Sequence, residues 1–244
     1  MSDGIYSALS GAIAQSTLLE TAANNLANAS TDGYQRVRPV FQEMLSRAGG
    51  GAAAGGPTLV TVAATAVDTS AGAVRPTGRM LDAALPEGVY LAVSTPRGER
   101  YTRAVSLTVD PEGGVRTSRG DVVADESGAP LRVAPGAGEL SLTADGELRR
   151  AGAPAGTPAV RLRLVRFDRP DRLAQEGGTL LVARGATPTV AAASLTVGSV
   201  EESNATMVGA MTDLVTATRT FDAFQRVIDA FREADRRVVT SVPG

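Results

Sequence analysis

The chain has 244 residues and a formal net charge of −2, with 43% hydrophobic and 20% charged residues. These values predict a folded protein with a hydrophobic core and give no sign of a surface that binds nucleic acid. The chain contains no Cys and no His, which excludes disulfides, thiolate metal sites and catalysis by serine–histidine or cysteine–histidine pairs. We therefore expect no cofactor, no metal and no small-molecule substrate.

A first helix is predicted from about residue 2 to residue 28. This region contains no Pro, and its seam residues are spaced alternately by four and three, as in a heptad repeat. The seam is thin, because it includes Ser16 and alanines. The helix could pack within its own domain or pair with a helix of a neighbouring subunit. The seam residues are Ile5, Leu9, Ala12, Ser16, Leu19, Ala23 and Leu26.

Turn residues follow this helix, and Gly33 suits a backbone position with positive φ. Residues 34–41 are predicted to be extended. Residues 48–56 are nearly all Gly and Ala, which predicts a flexible linker and a domain boundary.

Between about residues 58 and 197 the pattern changes to short strands. Apolar clusters recur, and each is bounded by Gly, Pro or Asp turn signals. This pattern predicts a sandwich, a barrel or an irregular β domain. The clearest clusters lie at 89–93, 105–109, 162–165 and 180–182.

A second helix of roughly 35 residues is predicted near the end of the chain, from apolar residues at helical spacing with most charges on the other side. Its apolar residues are Met207, Met211, Leu214, Phe221, Phe224, Ile228, Phe231 and Val238. The sequence thus predicts an α+β protein in which long N- and C-terminal helices form a coiled-coil-like domain flanking a mainly β central domain. The predicted domains are 1–46 (N-terminal helix), 47–57 (linker), 58–197 (β domain) and 198–244 (C-terminal helix).

Two further expectations concern chemistry and targeting. The best candidates for catalytic carboxylates are Glu201-Glu202 and the turn with Asp110 and Glu112. Both have the character of solvated loops, so we expect that the protein is not an enzyme. The first residues lack the positive charge of a secretory signal, so we expect no cleaved signal peptide.

Motifs at both ends of the chain resemble signatures of bacterial flagellar rod and hook proteins. Residues 23–28 (ANNLAN) and 31–36 (TDGYQR) resemble the family pattern ANNLANxxTxGY/F followed by a basic residue. Residues 98–103 (GERYTR) resemble its GxxxYTR segment, and residues 197–204 (VGSVEESN) resemble xGxLExSNV. The opening residues 4–12 (GIYSALSGA) are most similar to the proximal-rod member of the family.

The resemblance implies an axial flagellar protein whose terminal helices form the inner part of a tubular assembly. Such a subunit transmits torque and lines the export channel. The implied partners are other copies of the chain, other rod and hook subunits, and the flagellar type III export apparatus, which carries the chain to the periplasmic rod. The alternatives are a distal-rod or hook-type protein, or a secreted adhesin or effector that uses the same export route.

An assembly interface is expected on both helices and on the N-terminal signature. The amides of its asparagines could bridge neighbouring helices or cap the end of the first helix. Asn204 is interpreted as a start signal for the last helix rather than a contact. The predicted interface residues are Leu9, Ile13, Leu19, Asn24, Asn25, Leu26, Asn28, Gly33, Tyr34, Met211, Leu214, Phe221, Ile228 and Phe231.

Overall fold

The computed structural model describes residues 2–45, 58–134, 138–150 and 159–241. It confirms a helix at each end and a mainly β region between them, with α1 at Ser2–Ala27 and α2 at Met207–Ser241. The predicted linker falls outside the described residues. Contacts divide the chain into a helical unit (Met1–Ala27, Val37–Thr65 and Met207–Gly244) and a β unit (Asn28–Arg36 and Ala66–Thr206). The domain boundaries drawn from the sequence stay predictions.

The strands are short, as the closely spaced turn signals predict. They are β1 (Val37–Leu45), β2 (Thr58–Val67), β3 (Val74–Pro76), β4 (Asp82–Ala84), β5 (Val89–Thr95), β6 (Gly98–Thr102), β7 (Val105–Val109), β8 (Val115–Thr117), β9 (Val122–Val123), β10 (Leu140–Leu142), β11 (Glu147–Arg150), β12 (Val160–Arg161), β13 (Leu164–Phe167), β14 (Leu173–Gln175), β15 (Leu181–Ala183), β16 (Pro188–Val190), β17 (Thr196–Val197) and β18 (Ser199–Glu201). A single 3₁₀ turn, Pro170–Arg172, lies between β13 and β14 in the described part of the chain.

The helical unit contains α1, α2 and the two-stranded sheet β1-β2. Small side chains of α1 face large ones of α2: Ala8 and Ala12 form a cluster with Ile228, against which Phe221 and Phe224 pack. Gly11 lies in the same contact, because a Cβ atom added there would be 2.4 Å from Cε1 of Phe224. No helix in the described residues combines the length and apolar character needed to span a lipid bilayer.

This contact corrects the predicted seam of α1. Leu9 was placed on the seam, but its side chain is 49% exposed, and Ala8 takes its place in the intramolecular contact beside Ala12, which the predicted seam included. The physical reason is close packing: the large rings of α2 can approach α1 only where its side chains are small. The prediction placed Leu9 on the seam because it is hydrophobic, and did not consider that its side chain is too large for this contact.

The β unit is built on a large sheet in the order β14-β15-β6-β5-β9-β8-β7-β4-β17, with β13 pairing both β5 and β16. A three-stranded sheet, β10-β11-β12, and a two-stranded sheet, β18-β3, complete it. The core centres on β5, whose Val89, Tyr90, Leu91, Ala92 and Val93 are all fully buried. The four apolar clusters named from the sequence overlap β5, β7, β13 and β15, so the strand prediction is confirmed there.

Candidate assembly interface and signature junction

Large apolar side chains of both helices are exposed in the single chain. On α1, Leu9 is 49% and Ile13 is 61% exposed, and on α2, Met211 is 48% and Val215 is 51% exposed. Leu9 and Ile13 lie about one turn apart on α1, as Met211 and Val215 do on α2, and large exposed apolar side chains grouped on one face mark interaction sites. These four residues are called the exposed apolar residues of the helical unit below.

The same part of α2 carries threonines whose hydroxyl groups bond within the helix. Thr212, Thr216, Thr218 and Thr220 each donate to the carbonyl oxygen four residues earlier, at 2.8 to 2.9 Å. Their side chains lie outside the core but do not need water as a partner. Between Met207 and Thr218 the only charged residue is Asp213, so the first third of α2 is almost uncharged.

The other predicted helix residues lie deeper. Leu19 and Leu26 on α1 and Leu214 and Phe231 on α2 are half-buried. Ile228 is buried, and Phe221 packs against it. Of the predicted interface residues, the structure therefore brings together Phe221 and Ile228 in one cluster.

Asn25 attaches the first strand to α1. Its side chain is buried, its Nδ2 donates to the carbonyl of Val37 at 2.8 Å, and its Oδ1 accepts from the Val37 amide at 3.0 Å. An amide side chain can make this pair because it holds a donor and an acceptor in one plane. Asn24 is exposed, whereas Asn28 is half-buried and its carbonyl accepts the amide of Thr31.

The N-terminal signature ends in the β unit. Gly33 has a φ of 70°, as predicted, and a Cβ atom there would be 2.3 Å from the backbone nitrogen of Ala104. Its amide donates to the carbonyl of Glu201 at 2.7 Å. The next residue, Tyr34, is only 1% exposed.

The C-terminal signature contacts the N-terminal one directly. Oδ1 of Asn204 accepts the amide of Arg36 at 2.6 Å, although the two residues are 168 positions apart. Nδ2 of Asn204 donates to the carbonyls of Asp68 and Ser70, at 2.8 and 2.9 Å. The interpretation of Asn204 as a helix start signal was therefore wrong: it makes tertiary contacts, and α2 begins at Met207. We call residues 33–36, 68–73 and 199–204 the signature junction.

A buried ion pair lies at the centre of this junction. Arg103 is 1% exposed, and its Nε donates to both carboxylate oxygens of Glu201 at 2.8 to 2.9 Å. The remaining guanidinium nitrogens donate to the carbonyls of Leu85, Pro86 and Val89. Glu201 is 4% exposed, so the view of Glu201-Glu202 as a solvated loop was wrong for its first residue.

Glu201 was misjudged because its partner is remote. The carboxylate meets a guanidinium from a residue 98 positions away, which converts an apparent surface charge into a buried pair. Glu202 is the contrasting neighbour: it pairs with Arg75, and both side chains are about half exposed, at 45% and 51%. The sequence did offer one signal for a buried Glu201. Successive strand residues point to opposite faces, so in a short strand only one of two adjacent acids can face inward.

Two tyrosines of the β unit should make its stability sensitive to alkali. Burial raises the pKa of Tyr34 and of Tyr90 above the ordinary value of 10.0. The folded state then holds these protons more tightly than the unfolded state, so the stabilisation is complete below about pH 10 and declines as the pH rises further. When the pH is raised from about 9 to about 11, we expect the free energy of unfolding to fall less in Tyr90→Phe than in the wild type. Urea unfolding followed by far-UV circular dichroism measures this, and equal losses would contradict it.

Comparison with known proteins agrees with the signatures at both ends. A family model described as flagella basal body rod protein matches residues 5–35, and one described as flagellar basal body rod FlgEFG protein C-terminal matches residues 196–241. The flagellar basal-body rod protein FlgF of Escherichia coli (strain K12) is 34% identical, covering 94% of this chain and 94% of its own length. FlgF of Rhizobium meliloti (strain 1021) is 29% identical over 91% of this chain and 90% of its own.

A relative with a different name is also similar along its whole length. The flagellar basal-body rod protein FlgG of Bacillus subtilis (strain 168) is 27% identical over 96% of this chain and 97% of its own. The matched segments contain most of α1, residues 33–35 and 199–204 of the signature junction, and the whole of α2. This chain belongs to the flagellar basal-body rod protein family.

Proposed function

We propose that this chain, a structural subunit of the flagellar rod, occupies the proximal part of the rod and polymerises through its terminal helices. The observation that carries the proposal is the set of exposed apolar residues of the helical unit, Leu9, Ile13, Met211 and Val215. In the single chain these side chains are about half in water, and contact with neighbouring helices would remove them from it. Fully burying an exposed side chain of this size contributes about 1.5–3 kcal/mol, so burying the exposed half contributes about half of that.

The helices are proposed to pack as a coiled-coil-like inner layer that transmits torque and lines the export channel. The cluster of Ala8 and Ala12 with Ile228 supports close helix pairing within one subunit. The charged second half of α2, with ion pairs such as Arg232–Asp229, suits contact with water. Head-to-tail contacts of this kind generate open helical assemblies when the rotation does not close.

The proposed route to the periplasm is the flagellar type III export apparatus. The chain contains no Cys, so it forms no disulfide on reaching an oxidising compartment. The proposed partners are further copies of the chain and other rod and hook subunits. A structural role without catalysis follows from the same proposal.

The interface proposal predicts a separation between folding and assembly. In the double variant Leu9→Gln/Ile13→Gln we expect the monomer to keep its helix content, because both side chains are exposed and Gln is a good helix former. Association should weaken by about 1.5–3 kcal/mol for the two side chains together, which is roughly 10- to 150-fold. The measurement is the amount of this chain in purified basal bodies, by mass spectrometry, in cells that carry only the variant.

Val190→Gln is the matched control, since Val190 is 52% exposed but lies on β16 of the β unit. It should enter basal bodies at the wild-type level. Normal incorporation of the double variant, or loss of helix in its monomer, would contradict the proposed interface.

The second candidate is the distal rod, and the whole-length similarity to FlgG of Bacillus subtilis favours it. The two positions are distinguished by deleting the gene and examining the remaining basal bodies by electron microscopy. The proximal assignment expects no rod beyond the membrane-adjacent part. A complete distal rod with a normal hook would dismiss it.

A further inference from the structure

The planar amide of Asn204 makes three hydrogen bonds to backbone groups. Its Oδ1 accepts from the Arg36 amide, and its Nδ2 donates to the carbonyls of Asp68 and Ser70, at 2.6, 2.8 and 2.9 Å respectively. These bonds use three of the four hydrogen-bonding positions of an amide side chain. One side chain near the C-terminus therefore holds two separate segments from the first third of the chain.

Those two segments are also bonded to each other. Nη2 of Arg36 meets Oδ2 of Asp68 at 2.9 Å, and the Asp68 amide donates to the Arg36 carbonyl at 2.8 Å. The amide of Asn204 donates to the carbonyl of Tyr34 at 3.3 Å, and Gly33 donates to the carbonyl of Glu201. Residues 33–36 thus dock on a surface that residues 201–204 help to form.

The chemistry at position 204 is selective. Aspartate would retain the acceptor but lose both donors, and it would place a carboxylate against two carbonyl oxygens. Alanine would leave the amide of Arg36 without its acceptor, and glutamine would place the amide one methylene too far from the backbone. Asn204 is half-buried, so water can replace its lost hydrogen bonds only in part.

We infer that Asn204 couples the two ends of the chain: residues 33–36 stay docked on the β unit only while residues 199–204 are docked as well. Coupling of this kind is reciprocal, so release of either segment loosens the other. A chain whose C-terminal segment is missing or displaced would then present a disordered N-terminal signature. The coupling is a property of the single chain. If the rod accepts only subunits with an ordered N-terminal signature, the coupling would exclude incomplete chains, and that consequence alone rests on the proposed function.

The test is hydrogen exchange of the full-length monomer, read by mass spectrometry. In Asn204→Ala we expect the amides of residues 34–36 to exchange at least about tenfold faster than in the wild type. Amides of β5 should keep their wild-type protection, because local release does not open the core. Asn204→Ser, which keeps an acceptor, should show a smaller increase at the same residues. Asp68→Asn tests the reverse direction and should accelerate exchange at Asn204 and Ala205.

Glu202→Gln is the matched control, since Glu202 lies two residues away and pairs with exposed Arg75. It should leave residues 34–36 unchanged. The inference is overturned if Asn204→Ala accelerates exchange only at residues 203–206, or if exchange rises equally in β5. Monomer exchange reports the coupling alone, whereas basal-body incorporation reports the proposed function, so the two can fail separately.

Discussion

Replacing Glu201 by leucine should destabilise the β unit by about 3–5 kcal/mol, because it leaves a buried guanidinium without its counter-charge. Arg103 is 1% exposed and cannot reach water, so its guanidinium charge would remain buried without a partner. The change also removes the acceptor of the Gly72 amide, which bonds Oε1 of Glu201 at 2.9 Å. Glu201→Gln, which keeps the shape and one acceptor, should lose less.

The measurement is urea unfolding, followed by the near-UV circular dichroism of tyrosine. This signal is clean because the chain has no Trp and only four Tyr, of which Tyr34, Tyr90 and Tyr101 belong to the β unit. Glu202→Leu is the control, and its half-exposed pair with Arg75 should contribute less than about 1 kcal/mol. Equal losses for the two variants would show that the buried pair has no special role.

Gly33→Ala should destabilise the same unit by about 2–5 kcal/mol. Two effects combine here. The φ of 70° is unfavourable for any residue with a Cβ atom, and that atom would lie 2.3 Å from the backbone nitrogen of Ala104. Backbone cannot rotate away as a side chain can, so the whole turn must shift and the bond from the Gly33 amide to Glu201 is strained with it.

Gly88→Ala separates these two effects. Gly88 has a φ of 72°, but a Cβ atom there would meet no other atom within 4 Å. Its loss should therefore be the backbone contribution alone, about 1–2 kcal/mol. If both variants lose the same free energy, the contact with Ala104 is not what requires glycine at position 33.

The outline of the fold could be predicted because it depends on local periodicity. The helical spacing of the first 28 residues anticipates α1 at Ser2–Ala27, and a helix of 35 residues is found at Met207–Ser241. The apolar run at 105–109 coincides with β7. These patterns reflect burial on one side of an element, which the sequence records directly.

Packing between elements was less predictable, since it depends on size as well as hydrophobicity. Ala8 and Gly11 carry little apolar signal, yet they admit the ring of Phe224 to α1. Leu9 carries a strong signal and stays exposed in the single chain. In a subunit that buries some apolar residues only on association, large apolar residues cannot all be assigned to the core of the single chain.

The signature junction could not be predicted at all, because its bonds join residues that are distant in sequence. Arg36 and Asn204 are 168 positions apart, and Arg103 and Glu201 are 98 apart. The motifs that contain them were recognised by resemblance, which indicated a family but not a geometry. The structure adds that the two motifs recognise each other within one chain.

The threonines of α2 affect how easily this helix moves from water into contact with a neighbouring subunit. Hydroxyl groups that bonded to water would have to give up those bonds when a neighbour covers them, and each lost bond would oppose association. The hydroxyls of Thr212, Thr216, Thr218 and Thr220 already bond to their own backbone. These donor bonds are therefore kept when a neighbouring helix covers the threonines, so this part of α2 suits both a dissolved subunit and a packed one.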